Sequence, residues 1–173
     1  MVETMHTIRV LDDILYNAQR QGRISFYMTS SGEEATHVGS AAALEPGDPV
    51  YAQYREVGVL LWRGFTVEQI MNQCFSNRLD AGKGKQMPVH YGSAQHHFQT
   101  ISSPLCTQLP QAAGAAYYLR HIKKQENVVI CYFGEGAASE GDFHAALNMA
   151  STTRAPVIFF WYLLYFKSMP TII

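Results

Sequence analysis

The sequence predicts an α/β fold, with a parallel sheet flanked by helices behind a helical N-terminal part. Residues 127–133 and 155–160 are continuous apolar runs, rich in β-branched and aromatic residues, and a glycine turn and a helical pattern separate them. Continuous apolar strands that bracket a helix are typical of a parallel sheet covered on both faces. Such sheets bind ligands at the carboxyl ends of their strands, so we expect a ligand site just after residue 133.

The helices are predicted from apolar spacing and from start and stop signals. Residues 3–21 place apolar side chains three or four apart and end before Gly22. Ser30 or Ser31 can cap a second helix, whose small side chains leave room for a neighbouring backbone. Thr66 and Gln69 fit a capping box. The predicted helices span residues 3–21, 30–44, 66–74, 109–124 and 139–153.

Residues 77–100 show no periodicity and are rich in Gly, Lys and His, a pattern typical of a functional or disordered segment. The histidines at positions 90, 96 and 97 lack the spacing of a metal motif, and we expect surface roles for them. The apolar side chains of Phe26 and Met87 are expected to serve packing.

Composition narrows the classes of partner. The chain has 173 residues, with 13 basic and 14 acidic side chains and a formal net charge of −1. Nucleic-acid-binding proteins normally carry a basic excess, so nucleic acid is not expected as a partner. Charged residues make up only 16% of the chain and apolar residues 47%, which suggests that a partner protein covers much of the surface.

The longest apolar stretch, residues 155–166, contains Pro156 and is shorter than the roughly 20 residues of a membrane helix. We therefore expect a buried strand there and no membrane insertion. Cys74, Cys106 and Cys131 are widely spaced and include no Cys-x-x-Cys pair, so we expect free, packed thiols.

A glycine turn, Gly134-Glu135-Gly136, follows the first predicted strand. Its glycines allow a ligand to approach the backbone, the N–H groups of the following helix can hold phosphate, and the Glu135 carboxylate suits Mg²⁺. A tight connection without a ligand is the alternative. Neither a dinucleotide-binding fingerprint nor a Walker loop is present.

Six sequence blocks occur in order: QRQGRISFY (19–27), GSAAAL (39–44), QYRE (53–56), QMPVHYG (86–92), ISSPL (101–105) and GEGAASEGD (134–142). Together they resemble the α subunits of the thiamine-diphosphate-dependent 2-oxo acid dehydrogenases, in particular the branched-chain group, from about Leu11 to Phe160. The resemblance implies a partial thiamine-diphosphate-binding fold. Residues 1–160 are then the N-terminal portion of that domain, and residues 161–173 form a divergent tail.

The resemblance also implies an activity and partners. The family carries out oxidative decarboxylation of branched 2-oxo acids, such as 3-methyl-2-oxobutanoate, and transfers the acyl group to lipoamide in branched-chain amino acid catabolism. It implies an oxidoreductase with thiamine diphosphate, Mg²⁺ and K⁺, assembled as an α2β2 heterotetramer with a β subunit. A lipoyl-bearing acyltransferase core accepts the product. Matrix localisation in mitochondria is implied, although the chain as given shows no transit peptide.

Site residues follow from the resemblance position by position. Tyr54 and Arg55 match contacts to the cofactor diphosphate, although a surface or helix-capping arginine is the alternative. Glu135 matches the Mg²⁺ ligand. The other implied cofactor-binding residues are Ser103, Leu105 at the thiamine pyrimidine, Gly136 and Ala137. The implied K⁺ ligands are Ser102, Pro104, Thr107 and Gln108. Without the resemblance, the Ser-Ser-Pro segment indicates only a turn before a helix. The resemblance assigns no catalytic residue to this chain.

The resemblance fails at residues 162–166, which read YLLYF where the family has Arg-Asn-Asn-Gly-Tyr. That motif supplies an arginine for phosphate and two ligands for Mg²⁺, so its loss predicts weak cofactor binding. Three hypotheses follow. The chain is a dehydrogenase α subunit, a truncated and inactive product that at most binds the β subunit, or a generic phosphate or nucleotide binder.

Overall fold

The computed structural model describes residues 1–162. Helices dominate the first half of the chain, and a parallel sheet with its covering helices forms the second. The elements are α1 (Val2–Arg20), α2 (Glu34–Ala42), β1 (Val50–Tyr51), α3 (Val57–Trp62), α4 (Val67–Cys74), α5 (Gln108–Tyr117), a π-helical segment (Tyr118–Lys123), β2 (Val129–Phe133), α6 (Glu135–Ala138), α7 (Gly141–Thr153) and β3 (Val157–Trp161). The α/β prediction is confirmed.

The sheet has the strand order β1-β2-β3, and both pairs are parallel. Val50 pairs with Ile130, and Val129 pairs with Val157. All five residues of central β2 are buried, as predicted. The prediction of a fully buried strand is wrong for β3, where Ile158 and Trp161 are 42% and 50% exposed. The cause is its position, because β3 lies at one edge of the sheet within the described residues.

Two hydrophobic cores cover the two faces of this sheet. Side chains alternate between the faces of a strand, so Ile130 and Tyr132 point to one core and the other three residues of β2 point to the second. The first core contains residues of α1, α2, α3 and α4, including Ile8, Leu15 and Leu60. The second is formed largely by α5, α7 and β2. The three cysteines are free and buried, as predicted.

Helix α1 confirms the first helix prediction, and α4 confirms the capping box. Other predicted boundaries are wrong. The second helix begins at Glu34 without a side-chain cap, because the Ser30 hydroxyl donates instead to the Arg55 carbonyl at 2.7 Å. The predicted helix 139–153 corresponds to α7, which begins two residues later, and the short helix α6 directly after Gly134 was not predicted. The last turns of predicted helix 109–124 are π-helical.

Two further elements escaped prediction, and one loop matched it. Helix α3 is buried on most of its surface and therefore shows no amphipathic period. Strand β1 has only two residues. Residues 77–100 contain no helix; Phe98 bridges to Val50 of β1 and, within the segment, to Ser93. None of the helices within residues 1–162 is long and apolar enough to cross a membrane.

Replacement of Thr66 by alanine is expected to lower the free energy of unfolding by about 1 kcal/mol. The Thr66 hydroxyl accepts a hydrogen bond from the backbone N–H of Gln69 at 3.1 Å, and the side-chain oxygen of Gln69 accepts one from the backbone N–H of Thr66 at 2.8 Å. Alanine leaves the N–H of Gln69 without that acceptor. Urea unfolding followed by circular dichroism checks the effect. Thr66→Ser retains the hydroxyl and should stay close to wild type, and equal losses in the two variants would contradict the assignment.

Candidate functional site

A cavity of about 260 Å³ lies where β2 and β3 end. Its position matches the predicted ligand site at the carboxyl ends of the strands. The lining residues are Glu33, Gln53, Tyr54, Arg55, Leu105, Gly134, Glu135, Gly136, Ala137 and Tyr162. Six of the residues implied by the resemblance are therefore brought together in one cavity: Tyr54, Arg55, Leu105, Glu135, Gly136 and Ala137.

The sheet explains why distant segments meet there. Strand β1 leads into residues 53–56, and β2 leads into residues 134–137. Because the two strands are parallel neighbours, their carboxyl ends lie at the same edge of the sheet. The two segments are thus held side by side by backbone pairing, and the cavity forms between them.

Arg55 is half-buried and held in place at one end of its guanidinium. Its Nη1 donates to the Thr29 carbonyl at 2.8 Å, and its Cζ lies 5.7 Å from the centre of the Tyr54 ring. Thr29 belongs to no helix, so the helix-capping alternative does not apply. A guanidinium has five N–H donors, and one bond to Thr29 leaves others for an anion in the cavity.

Glu135 and Gly136 form another wall of the cavity. The Glu135 side chain is exposed, so its carboxylate is open to a ligand. A Cβ at Gly136 would lie 3.2 Å from Cδ1 of Leu105, which is tighter than ordinary contact. Glycine therefore lets the Leu105 side chain lie close to the backbone of α6. Ala137 is buried beneath them.

The loop implied to bind K⁺ lies just before α5. The Thr107 hydroxyl donates to the Pro104 carbonyl at 3.1 Å, so these two oxygens are neighbours. The Gln108 amide nitrogen donates to the Tyr132 carbonyl at 3.0 Å, and the amide oxygen is the remaining acceptor of that side chain. Ser102 is half-buried at the start of the loop. The Ser103 hydroxyl lies 3.9 Å from Sδ of Met87 and does not line the cavity.

A buried polar cluster, Glu33, His37 and Glu56, was missed by the sequence analysis. Their exposed fractions are 4%, 0% and 1%, and one ligand-type atom from each lies within 4.8 Å of the others. Burial raises the pKa of Glu56 to about 7. The available sequence signal was a Glu and a His four apart on a helix of otherwise small residues. Glu33 connects this cluster to the cavity, because it also lines the cavity wall.

Comparison with known proteins identifies the family of this chain. A family profile described as the dehydrogenase E1 component matches residues 2–161. The chain belongs to this family. It is 61% identical over 160 residues to the mitochondrial 2-oxoisovalerate dehydrogenase subunit alpha of Caenorhabditis elegans, covering 92% of this chain and 37% of that protein.

Other relatives give the same picture. The Dictyostelium discoideum and human subunits of the same name are 62% and 59% identical over 160 residues, or 92% of this chain and 36% of each relative. The resemblance inferred from the six blocks is confirmed. This E1-family chain spans little more than a third of the length of the curated relatives it matches.

The burial of His90 in this E1-family chain contradicts one prediction about the long loop. The expected surface role is wrong for His90, which is 3% exposed, whereas His97 is exposed. Its ring lies 6.4 Å from the ring of Phe26 and 6.5 Å from that of Tyr54. Its Nδ1 faces the Pro88 carbonyl at 3.0 Å, and its Nε2 has no hydrogen-bond partner. Phe26 packs against the first core as expected, but Met87 is 42% exposed.

Proposed function

We propose that this chain provides the α-subunit part of a thiamine diphosphate site in a branched-chain 2-oxo acid dehydrogenase. One observation carries the proposal: Tyr54 and Arg55 line the same cavity as Glu135, Gly136 and Ala137. These residues lie about 80 positions apart in the sequence, and the cavity combines a cation, a carboxylate and close backbone. That combination suits a diphosphate with a bound divalent cation.

Each group in the cavity has a role in this proposal. Arg55 and Tyr54 hold the diphosphate, and the backbone at Gly136 and Ala137 approaches it closely. Glu135 supplies one oxygen ligand to Mg²⁺, which prefers carboxylate and phosphate oxygens. Leu105 contributes apolar surface beside the pyrimidine. The bound cofactor would accept the electrons released when the 2-oxo acid loses CO₂.

The size of the cavity supports a β partner. Pockets for small molecules commonly measure about 300–1,000 Å³, whereas this cavity measures about 260 Å³. Space of that size accommodates one end of a cofactor and leaves the rest to another surface. We propose that a β subunit completes the site in an α2β2 assembly, consistent with the low charge content of the chain.

The loop before α5 supports the proposed K⁺ site. The neighbouring oxygens of Pro104 and Thr107, with the free amide oxygen of Gln108, are suitable ligands for a hard monovalent cation. Ser102 would add a further oxygen, and Ser103 would contact the cofactor from the same loop. The ion would hold this loop, and with it Leu105, against the cavity.

The proposed substrate is a branched 2-oxo acid, such as 3-methyl-2-oxobutanoate. The aromatic surfaces of Phe26 and Tyr54 suit a branched apolar side chain, and the unpartnered Nε2 of His90 is a polar atom beside them. The acyl group would pass to lipoamide on an acyltransferase core. The relatives' mitochondrial names support a place in the matrix and in branched-chain amino acid catabolism.

A second candidate is a chain that binds the β subunit without binding cofactor. Mg²⁺ needs six oxygen ligands in near-octahedral geometry, and Glu33 and Glu135 are the only carboxylates that line the cavity within the described residues. Tyr162 stands where the family motif begins, and its hydroxyl is buried without a partner. Of the proposed divergent tail, residues 161–173, the part from residue 163 onward lies outside the described residues.

Isothermal titration with thiamine diphosphate and Mg²⁺ separates the two candidates. Wild-type chain, purified with the β subunit of its own organism, is expected to bind only when Mg²⁺ is present. Arg55→Gln and Glu135→Gln should each weaken binding by about 10-fold or more, because each removes a charged contact worth about 1.5–3 kcal/mol. Arg78→Gln and Glu140→Gln, exposed and outside the cavity, are matched controls.

Other outcomes point elsewhere. Co-purification with the β subunit without Mg²⁺-dependent binding would support the non-catalytic candidate. ATP or NAD binding that Glu135→Ala abolishes would support a generic nucleotide site instead.

A further inference from the structure

Glu33, His37 and Glu56, called the buried triad below, have no role in the cofactor chemistry proposed above. Nε2 of His37 lies 3.2 Å from Oε2 of Glu33. Glu56 comes from the segment before α3, and one of its carboxylate oxygens lies within 4.8 Å of a ligand atom of each of the other two. Glycine at position 58 permits this approach, because a Cβ there would lie 2.8 Å from Cβ of His37.

The triad is incompletely hydrogen-bonded. Oε2 of Glu56 accepts from the Gln53 N–H at 2.7 Å, but its Oε1 has no partner. Nδ1 of His37 also has none. Buried polar atoms are normally paired, so two unpaired atoms in one cluster indicate a group that changes its protonation or its ligand.

The charges of the triad require a proton. Glu33–His37 is the one ion pair among the described residues, and no lysine or arginine pairs with either carboxylate. Two ionised carboxylates beside one imidazole would leave uncompensated buried charge, which is costly. A proton shared within the triad lowers that charge by one.

Titratable groups from several elements surround the triad. On β2, burial raises the pKa of Tyr132 to about 12 and the pKa of Cys131 above its usual value, so both stay neutral. On α1, Asp12 accepts from the Tyr27 hydroxyl and the Ser30 N–H, each at 2.7 Å. The remaining neighbours are Glu34 on α2, Arg55 before α3, and Tyr162 after β3, whose ring centre is 6.5 Å from that of His37.

We propose that the buried triad is a proton-exchange site that opens onto the cavity through Glu33 and becomes more fully protonated when a diphosphate anion binds there. The inference rests on the proposed function for the identity of the anion. In the step, the Glu56 carboxylate forms an O–H bond with a proton released by the buffer acid, and the buffer is left as its conjugate base. No electron transfer is involved. Glu33 and His37 are positioning residues that connect Glu56 to the cavity wall, so that the charge of the bound anion acts on Glu56.

Two measurements test the proposal, and the first needs no cofactor. Infrared difference spectra between acidic and mildly alkaline pH should contain the carbonyl band of a protonated, buried carboxylic acid that titrates near pH 7. Glu56→Gln should remove this band, whereas Glu126→Gln, an exposed matched control, should keep it. Absence of the band from wild-type protein overturns the proposal whether or not cofactor binds.

The second measurement is titration calorimetry with Mg²⁺ and thiamine diphosphate, and in parallel with Mg²⁺ and inorganic pyrophosphate. Comparing two buffers of different ionisation enthalpy gives the number of protons taken up. A group with a pKa of about 7 is half-protonated at pH 7, so we expect uptake of up to about 0.5 proton. Glu56→Gln should reduce uptake by that amount, and the protons exchanged by the ligand itself cancel in the comparison.

Each further outcome has a defined meaning. Binding with equal uptake in wild type and Glu56→Gln overturns the proposal and leaves the proposed function intact. If neither anion binds, the proposed function fails, and the coupling proposed here fails with it. Stoichiometric binding of Zn²⁺ alone that Glu56→Gln abolishes also overturns it, because the unpaired atoms are then metal ligands. If Glu56→Gln does not fold, the pH dependence of uptake in wild type decides, and no uptake between pH 6 and 8 overturns the proposal.

Discussion

Gly58→Ala is expected to lower the free energy of unfolding by about 1–3 kcal/mol, the usual cost of added volume in a packed core. A Cβ at this position would lie 2.8 Å from Cβ of His37 and 2.8 Å from Cδ1 of Ile8. Helices α1, α2 and α3 pack against one another there, and Ile8 and His37 are fully buried. Relief of the contact must move a helix, and urea unfolding followed by circular dichroism measures the cost.

Gly39→Ala provides the matched control on α2. Gly39 is exposed, and a Cβ there would meet nothing within 4 Å. Alanine should therefore raise the free energy of unfolding by about 0.5–1 kcal/mol, because it restricts the unfolded chain and favours helix. If Gly58→Ala had the same free energy of unfolding as wild type while Gly39→Ala was stabilised, α2 and α3 would not be in such close contact.

The same pair of glycines shows what sequence patterns can and cannot reveal about packing. The small residues of α2 predicted close approach of a neighbouring backbone on their own side of the helix. Within the described residues, Gly39 lies on the exposed side instead, and the close approach occurs at Gly58 on the partner helix. Composition indicates that a helix can be approached closely, but the direction depends on tertiary packing.

Periodicity predicted the elements that have one buried face or one complete apolar run. Helix α1, the capping box of α4 and strand β2 fall into these groups. Helix α3 and strand β1 do not, because one is buried nearly all round and the other has two residues. Helix α6 was also missed, since its four residues begin inside the glycine turn and are too few to show a helical period.

The cavity was predictable in part. A glycine turn after an apolar strand indicated its position, and the resemblance supplied Tyr54 and Arg55 on a separate segment. Their meeting with Glu135 depends on β1 pairing with β2, which no local pattern reveals. The buried triad was not predictable, because a Glu or His on a short helix is usually solvated, and its burial becomes visible only when α2 and α3 pack together.

The burial of Glu56 leads to an expected pH dependence of folding that is opposite in sign to ordinary acid denaturation. Burial raises the pKa of this carboxyl from 4.5 to about 7. Between these values the folded chain keeps the proton and the unfolded chain loses it, so the free energy of unfolding falls as pH rises. The contribution of Glu56 should decrease by about 3 kcal/mol between pH 4.5 and 7 and then level off.

Unfolding by urea at several pH values between 4.5 and 8 checks this expectation. Glu56→Gln keeps the shape of the side chain but cannot ionise, so the decrease due to Glu56 should disappear. Glu126→Gln, which removes an exposed carboxylate, should retain the full decrease. A wild-type curve and a Glu56→Gln curve that run parallel over this range would contradict the prediction, because Glu56 would then have the same proton affinity in the folded and unfolded chains. A flatter Glu56→Gln curve would show that its buried environment, rather than the net charge of the chain, sets the slope.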